Sequence, residues 1–226
     1  MQKSNISNSV IRRLPRYYRF LGELLNQDIQ KISSRELSEK MRLTASQIRQ
    51  DLNCFGGFGQ QGYGYNVAEL RRQIGHILGL DQHDKIILIG AGNLGRAITV
   101  HIDFEKYGYE LAGIFDNNIS LENIEISGIK IMHTNRLADF CAENHPKMAV
   151  LCIPKSGAKD MVQTLMNCGV NAFWNFSHYD IHYDHPEAAV ENVHLTDSLM
   201  TLSYAARRQE DHPAEASSSD EENTEE

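Results

Sequence analysis

The chain has only four cysteines in 226 residues, Cys54, Cys141, Cys152 and Cys168, and no two of them form a C-x-x-C pair. Such scattered thiols supply neither a disulfide framework nor a zinc site, and are read as reduced. No apolar run approaches the roughly 20 residues needed to cross a bilayer. The opening Met1–Ser9 is polar, unlike a secretory signal, so a cytoplasmic protein with no membrane partner is expected. A recognisable metal-ligand set is also missing: Tyr179–Pro186 contains His182, Asp184 and His185, but their spacing matches no established pattern. No Tyr-x-x-x-Lys pair occurs in the second half, and no segment is left over for a substrate domain. A dehydrogenase needs an acid/base or a metal beside the hydride acceptor; the ten histidines are the candidates, but without that pair or a substrate domain sensing is expected rather than turnover.

What charge there is falls unevenly. The net charge is −8, and residues 209–226 alone account for it, with eight acids and no Lys or Arg. Residues 1–80 hold twelve Lys/Arg against six Asp/Glu, whereas 81–208 hold ten against sixteen. A basic head on an acidic body is the asymmetry expected when one part must meet phosphate. The acidic, serine-containing tail over 209–226 has too little apolar surface to order itself and is expected to be disordered.

The head reads as helical. Val10, Leu14, Tyr18, Leu21 and Leu25 approximate a 3.6-residue period, with Pro15 marking an irregular first turn or a kink. Ser33 with Glu36, and Thr44 with Gln47, form possible capping boxes that open two short helices behind the longer one. This is helix-turn-helix spacing. Phe55–Tyr65 then alternates glycine with aromatic residues. A flexible linker would also be glycine-rich, but four aromatics favour a hairpin pinned to the helices, the wing of a winged helix. Asn66 and Glu69 cap a further helix lined by Leu70, Ile74, Ile77 and Leu78.

From Lys85 the pattern changes. Ile86–Ile89 is a continuously apolar, β-branched run, as a parallel strand buried on both faces requires. Helix and strand then alternate: a helix to about Tyr107, strands over 110–115 and 129–132, a helix over 136–143, a strand over 148–153, a helix over 158–168 and a strand over 172–175. That alternation predicts an α/β fold, a doubly wound parallel sheet behind an α+β head. Thr196 or Asp197 caps a last helix bearing Leu199, Leu202 and Ala206 and ending at Arg208.

Gly90-Ala91-Gly92-Asn93-Leu94-Gly95 is a G-x-G-x-x-G sequence placed between the first strand and the first helix of this sheet. Asp116 ends the second strand twenty-one residues after Gly95. The first glycine makes a tight turn, the second admits a pyrophosphate, and the third lets helix and strand pack closely. A carboxylate at Asp116 accepts hydrogen bonds from ribose hydroxyls and repels a 2′-phosphate, favouring NAD(H) over NADP(H). The competing classes are an NAD-dependent oxidoreductase with a fused regulatory head, and a CoA-binding protein. Asp116 suits the latter poorly, because CoA carries a 3′-phosphate.

With head, wing and fingerprint in order, the chain closely resembles the Rex family of redox-sensing repressors over about residues 8–205. The resemblance rests on Ile48–Leu52, Phe55–Tyr65, Ile89–Gly95, Cys152–Lys155, Trp174–Phe176 and Glu191–Val193. It implies a homodimer that binds palindromic, A/T-rich operator DNA when NADH is low, is released by NADH, and lets NAD+ compete. It also implies that a C-terminal helix, here 196–208, is exchanged between subunits, after a winged-helix domain over 1–80 and a Rossmann NAD(H)-binding domain over 81–195. Pro154 and His101 join the fingerprint residues and Asp116 as expected cofactor contacts, His101 standing where a tyrosine is common near the nicotinamide. In the wing, Gln60 and Gln61 replace a common basic residue; neutral amides still donate to A·T minor-groove acceptors. A family aspartate that pairs with an arginine of the first head helix corresponds to His194 opposite Arg19, which would not attract. Asp197, one turn on, is the substitute expected to form the switch with Arg19. Base-edge contacts are expected from Ser46, Gln47 and Gln50, a backbone clamp from Arg49, and phosphate contacts from Arg12, Arg13 and Arg16.

Overall fold

A computed structural model describes residues 6–56 and 64–211 of the chain. It divides into two compact units: residues up to His83 together with Glu105–Tyr109, and Asp84–Phe104 together with Glu110 onward.

The first unit is a helical head. Helices α1 (Asn8–Ile11) and α2 (Leu14–Asn26) precede strand β1 (Lys31–Ile32), α3 (Ser34–Met41), α4 (Ala45–Asn53), strand β2 (Tyr65–Asn66) and α5 (Val67–Ile77). The single kinked helix expected over 10–25 is two helices, broken at Arg12–Arg13, with Pro15 in the first turn of α2 where its missing N–H is harmless. The buried stripe is Leu14, Tyr17, Leu21 and Leu24, with Tyr18 and Leu25 at its margin rather than in it. Ser33 and Glu36 form a complete capping box. Thr44 caps α4 by accepting from the Gln47 N–H, but the Gln47 side chain does not return the bond. Asn66 caps α5 through the Glu69 N–H. β1 and β2 pair antiparallel, so the segment leading into the helix-turn-helix is tied to the end of the glycine/aromatic run. The tip of that run, with Gln60 and Gln61, lies outside the described residues.

The second unit contains a seven-stranded sheet. Its members are β3 (Asp84–Ile89), β4 (Tyr109–Asp116), β5 (Glu125–Ile126), β6 (Ile129–His133), β7 (Met148–Leu151), β8 (Ala172–Asn175) and β9 (Ala189–Asn192), in the spatial order β5-β6-β4-β3-β7-β8-β9. All recorded pairings are parallel except the β5–β6 hairpin. Connecting them are α6 (Asn93–His101), α7 (Leu137–Asn144), α8 (Lys155–Asn167) and the short α9 (Ile181–Asp184), followed by α10 (Leu195–Asp211). The core joins Ile87, Ile89 and Phe115 to Ala149 and Leu151 on neighbouring strands and to Val162 and Leu165 on α8. Burial of β3 on both faces explains its unbroken apolar run.

Several elements differ from expectation, among them α8, which begins at Lys155 rather than 158, and β7, which ends at Leu151 rather than 153. α6 stops at His101, and Glu105–Tyr107 forms a separate 3₁₀ turn instead of continuing the helix. β5 and β9 were not expected, because two-residue strands and mostly exposed edge strands leave no apolar run to read. α10 begins at Leu195, so Thr196 and Asp197 occupy its first turn rather than its cap, and it runs through Asp211, past the expected end at Arg208. Residues 212–226, most of the acidic tail, lie outside the described residues.

Candidate cofactor site and nucleic-acid interface

The strand order places β3 between β4 on one side and β7 on the other, and chain connections diverge there. In open α/β sheets the crevice at the carboxyl ends of such strands is where ligands settle. Each fingerprint glycine has a distinct geometric reason in this structure. Gly90 holds φ at +100°, and a Cβ there would stand 2.5 Å from the Cys152 carbonyl oxygen, so both conformation and space demand glycine. At Gly95 a Cβ would lie 1.9 Å from the Gly90 carbonyl oxygen, which measures how closely α6 packs on the turn. Nothing lies within 4 Å of the Cβ position at Gly92, the N-cap of α6. That open face, with unpaired N–H groups of the first helical turn, suits an anion. Asn93 and Leu94 open α6, exposed, while Ala91 is buried beneath the turn. Pro154 caps α8 at the end of the neighbouring strand β7, bringing a second helix N-terminus to the same edge.

Asp116 ends β4 and is already engaged. Its Oδ2 accepts from the Ala91 N–H at 2.7 Å and its Oδ1 from the Asn118 N–H at 2.8 Å. A carboxylate has about four acceptor positions, so these bonds orient the group and leave capacity for a diol. Sequence alone did not reveal Arg96, whose Nε donates to the Ala91 carbonyl at 2.9 Å and braces the turn from one helical turn away. His101, the last residue of α6, is exposed and stands eight residues from Asn93, about 12 Å along the helix axis. Burial pushes the Cys152 thiol up to about 12, so it remains protonated beside the site.

Around the root of α10 the two family-like stretches 174–176 and 191–193 are cross-tied. Buried Asn175 donates through Nδ2 to Asn192 Oδ1 at 2.7 Å and to the Tyr179 carbonyl, and its Oδ1 accepts from Ser177. His194 lies stacked on His178, Nδ1 to Nδ1 at 2.7 Å, so one ring donates and the other accepts. His194 is therefore occupied by His178, a partner with no sequence signal. Asp197 donates its backbone N–H to the His194 carbonyl, leaving its carboxylate in the first turn of an exposed helix.

In the head, Asp51 is the residue that sequence reasoning passed over. It is 1% exposed, yet ionised and surrounded by donors. The Arg13 guanidinium meets it in a fork, Nε to Oδ2 at 2.6 Å and Nη2 to Oδ1 at 2.7 Å. Tyr17 donates its hydroxyl at 2.9 Å and Gln47 its Nε2 at 2.9 Å. Burial by itself would raise the Asp51 pKa, but the bonds from Arg13, Gln47 and Tyr17, with the charge of Arg13, outweigh it and hold the carboxyl below its usual range. Burial, reinforced by the bond to Asp51, raises the Tyr17 hydroxyl.

Two of the expected DNA contacts are engaged within the head: Arg13 forks a carboxylate, and Gln47 has one amide hydrogen committed. Arg16 donates to the Met41 carbonyl, and Arg49 to Ser34 Oγ at 3.1 Å, tying α4 to α3. Ser46, Arg49 and Gln50 are exposed together on α4, and Arg12, Arg16 and Arg19 on the first two helices and the turn between them. This is the arrangement of a helix-turn-helix head: one helix with a polar face, and basic residues grouped separately.

The molecule thus pairs a head of a DNA-reading class with an open α/β sheet of the dinucleotide-binding class. Two family models agree in order: "Putative DNA-binding protein N-terminus" matches residues 5–53, and "CoA binding domain" matches 81–179. The redox-sensing transcriptional repressor Rex of Thermoanaerobacter pseudethanolicus is 52% identical over 92% of this chain and 93% of its own length. That of Clostridioides difficile is 51% identical over 88% of this chain and 95% of its own. Among solved structures, RSP in complex with β-NAD+ and operator DNA superposes with a TM-score of 0.85 at 52% identity, covering 92% of this chain and 95% of that one. RSP in complex with β-NADH gives 0.83 at 49% identity, covering 92% and 97%. The chain belongs to the Rex family of redox-sensing transcriptional repressors.

Proposed function

We propose that this protein represses transcription by binding operator DNA when NADH is low, and that NADH releases it. The carrying observation is the cradle made by Gly90, Gly92, Gly95 and Asp116, joined in one chain to a helix-turn-helix head. Relatives of this build have been solved with β-NAD+ and operator DNA and with β-NADH. We read the protein as a sensor rather than a dehydrogenase because the relatives that match it over nearly their whole length are redox-sensing repressors. The adenosine ribose is assigned to Asp116, the pyrophosphate to the α6 N-terminus beside Pro154, and the nicotinamide end to His101. Ser46, Gln50 and the free edge of Gln47 read bases, Arg49 clamps the backbone, and Arg12 and Arg16 meet phosphate. Gln60 and Gln61 are assigned to the minor groove.

Release needs two states that NADH binds unequally, since a ligand with equal affinity for both shifts nothing. Leu195, Leu199, Met200, Leu202 and Tyr204 on α10 are each more than 60% exposed within the single chain. An apolar helix of this length needs a cover, which supports a homodimer that exchanges α10 between protomers. The switch is then Arg19 of one protomer paired with Asp197 of the other in one state only. A single titration tests the whole reading: anisotropy of a labelled palindromic A/T-rich duplex with NADH and NAD+ varied independently. NADH should displace the duplex and NAD+ should oppose it; a duplex indifferent to both overturns the sensor. Displacement by CoA instead would favour the name of the second family model.

A further inference from the structure

We infer that Asp51 is a positioning residue for base recognition: it sets the orientation of the Gln47 side-chain amide and so decides what that amide demands of a base pair. The inference rests on α4 being the recognition helix. A glutamine side chain presents an acceptor and a donor that are nearly alike in shape, and without a neighbour both orientations are open to it. Asp51 removes that freedom. Ionised, it accepts hydrogen bonds and donates none, so the Gln47 NH₂ must face it, as the 2.9 Å contact to Oδ1 shows. Oε1 is then the acceptor left for a ligand, its position fixed, with the second amide hydrogen beside it. A free carbonyl in the major groove selects an amino donor, adenine N6 or cytosine N4, over the carbonyl edges of guanine and thymine.

The rest of the cluster keeps Asp51 in the one state that works. Arg13 and Tyr17, 38 and 34 residues away in sequence, hold both carboxylate oxygens from the other side. Their hydrogen bonds keep the group ionised and fix its plane, and with it the angle at which Gln47 is held. Stability alone does not explain a charge at this site, since well-packed apolar residues commonly replace a buried ion pair without loss. A fixed amide orientation is something an apolar replacement would not supply.

The experiment uses the full chain and two probes: a palindromic A/T-rich duplex enriched from a random pool by the parent protein, and a scrambled duplex of the same composition. Failure to enrich any duplex would count against the DNA-reading head itself, before Asp51 is tested. Asp51→Asn, whose side chain both accepts and donates, should reduce affinity for the enriched duplex at least tenfold. Its affinity for the scrambled duplex should hold or rise, with a salt slope steeper by up to about one unit as Arg13 becomes available to phosphate. NADH affinity should not change. A parallel fall on both duplexes overturns the proposal, as does no change on either. The double variant Asp51→Leu with Arg13→Met guards against simple unfolding of the head: it should regain the parent's melting temperature while the ratio of the two affinities stays collapsed. Recovery of that ratio would show that packing was all Asp51 provided. Finally, removing one exocyclic amino group at a time, with purine for adenine and 2-pyrimidinone for cytosine, should reveal one position where the parent loses at least fivefold and Gln47→Ala loses nothing; equal losses in both proteins at every position overturn the assignment.

Discussion

Each half of the molecule is organised around a carboxylate, and the two are held in opposite ways. Asp116 in the nucleotide unit is half-buried and fixed by backbone N–H groups, from Ala91 and Asn118. Asp51 in the head is buried and fixed by side chains, from Arg13, Tyr17 and Gln47. Backbone donors are present whatever the neighbouring residues are, provided the turn itself forms, so the first arrangement depends on glycines rather than on partners. Side-chain donors must be the right residues at the right positions on separate elements, so the second is more readily broken. The nucleotide site should accordingly fail through shape, and the head through chemistry.

The sharpest way to break the first arrangement is Gly95→Val. With a Cβ only 1.9 Å from the Gly90 carbonyl, helix and turn must separate. We expect NADH binding below detection by calorimetry and destabilisation beyond about 4 kcal/mol; a variant that binds NADH as the parent does would refute the role of close packing. Asp116→Ala should be milder, weakening NADH by about 1.5–3 kcal/mol while relaxing discrimination against NADPH. Unchanged NADH affinity with NADPH still excluded would remove Asp116 from the site.

The second arrangement is sensitive to acid. Asp51 has a folded pKa below its usual value of 3.8, so its stabilising contribution is complete above 3.8 and is lost as pH falls through the lower folded value. Acid titration should show the head losing stability only below about pH 4, and Asp51→Asn should flatten that limb while leaving neutral-pH NADH binding intact. A limb of the same steepness in the variant would mean that other carboxylates control it. The smallest effect is expected from Asp197→Asn: NADH affinity within a few-fold of the parent, but operator release that no longer follows NADH. Release at the parent's NADH concentration would dismiss the Arg19–Asp197 switch and leave the sensor standing.

The nucleotide unit was more legible in the sequence than the head. A doubly buried strand, a turn that only glycine fits and a carboxylate at a strand end all leave local marks, which is why β3, the Gly90–Gly95 turn and the strand end at Asp116 could be located from the residues alone. Caps are equally local, and Ser33, Thr44 and Asn66 were readable. Asp51 left no such mark. Its partners lie on other elements, and a single Asp four residues after a Gln looks like any solvated helix face. The same reason hid Arg96 and the His178–His194 stack. It also hid the fork between Arg13 and Asp51, since a basic residue on a helical head does not announce a carboxylate 38 residues away. The strand β9 was missed for a different reason: as an exposed edge it has no need of an apolar pattern.

The thiols of the nucleotide unit carry one more consequence. Burial lifts both Cys141 and Cys152 to about 12, so at neutral pH the reactive anion is on the order of one part in 10⁵. Peroxides and electrophiles attack the anion, and attack on these two positions is correspondingly slow. Cys152 follows strand β7 and sets its backbone carbonyl against Gly90 of the fingerprint turn. Keeping Cys152 protonated makes oxidation slow at that position beside the fingerprint turn, so the state of the dinucleotide pool can be read there with little interference from oxidant.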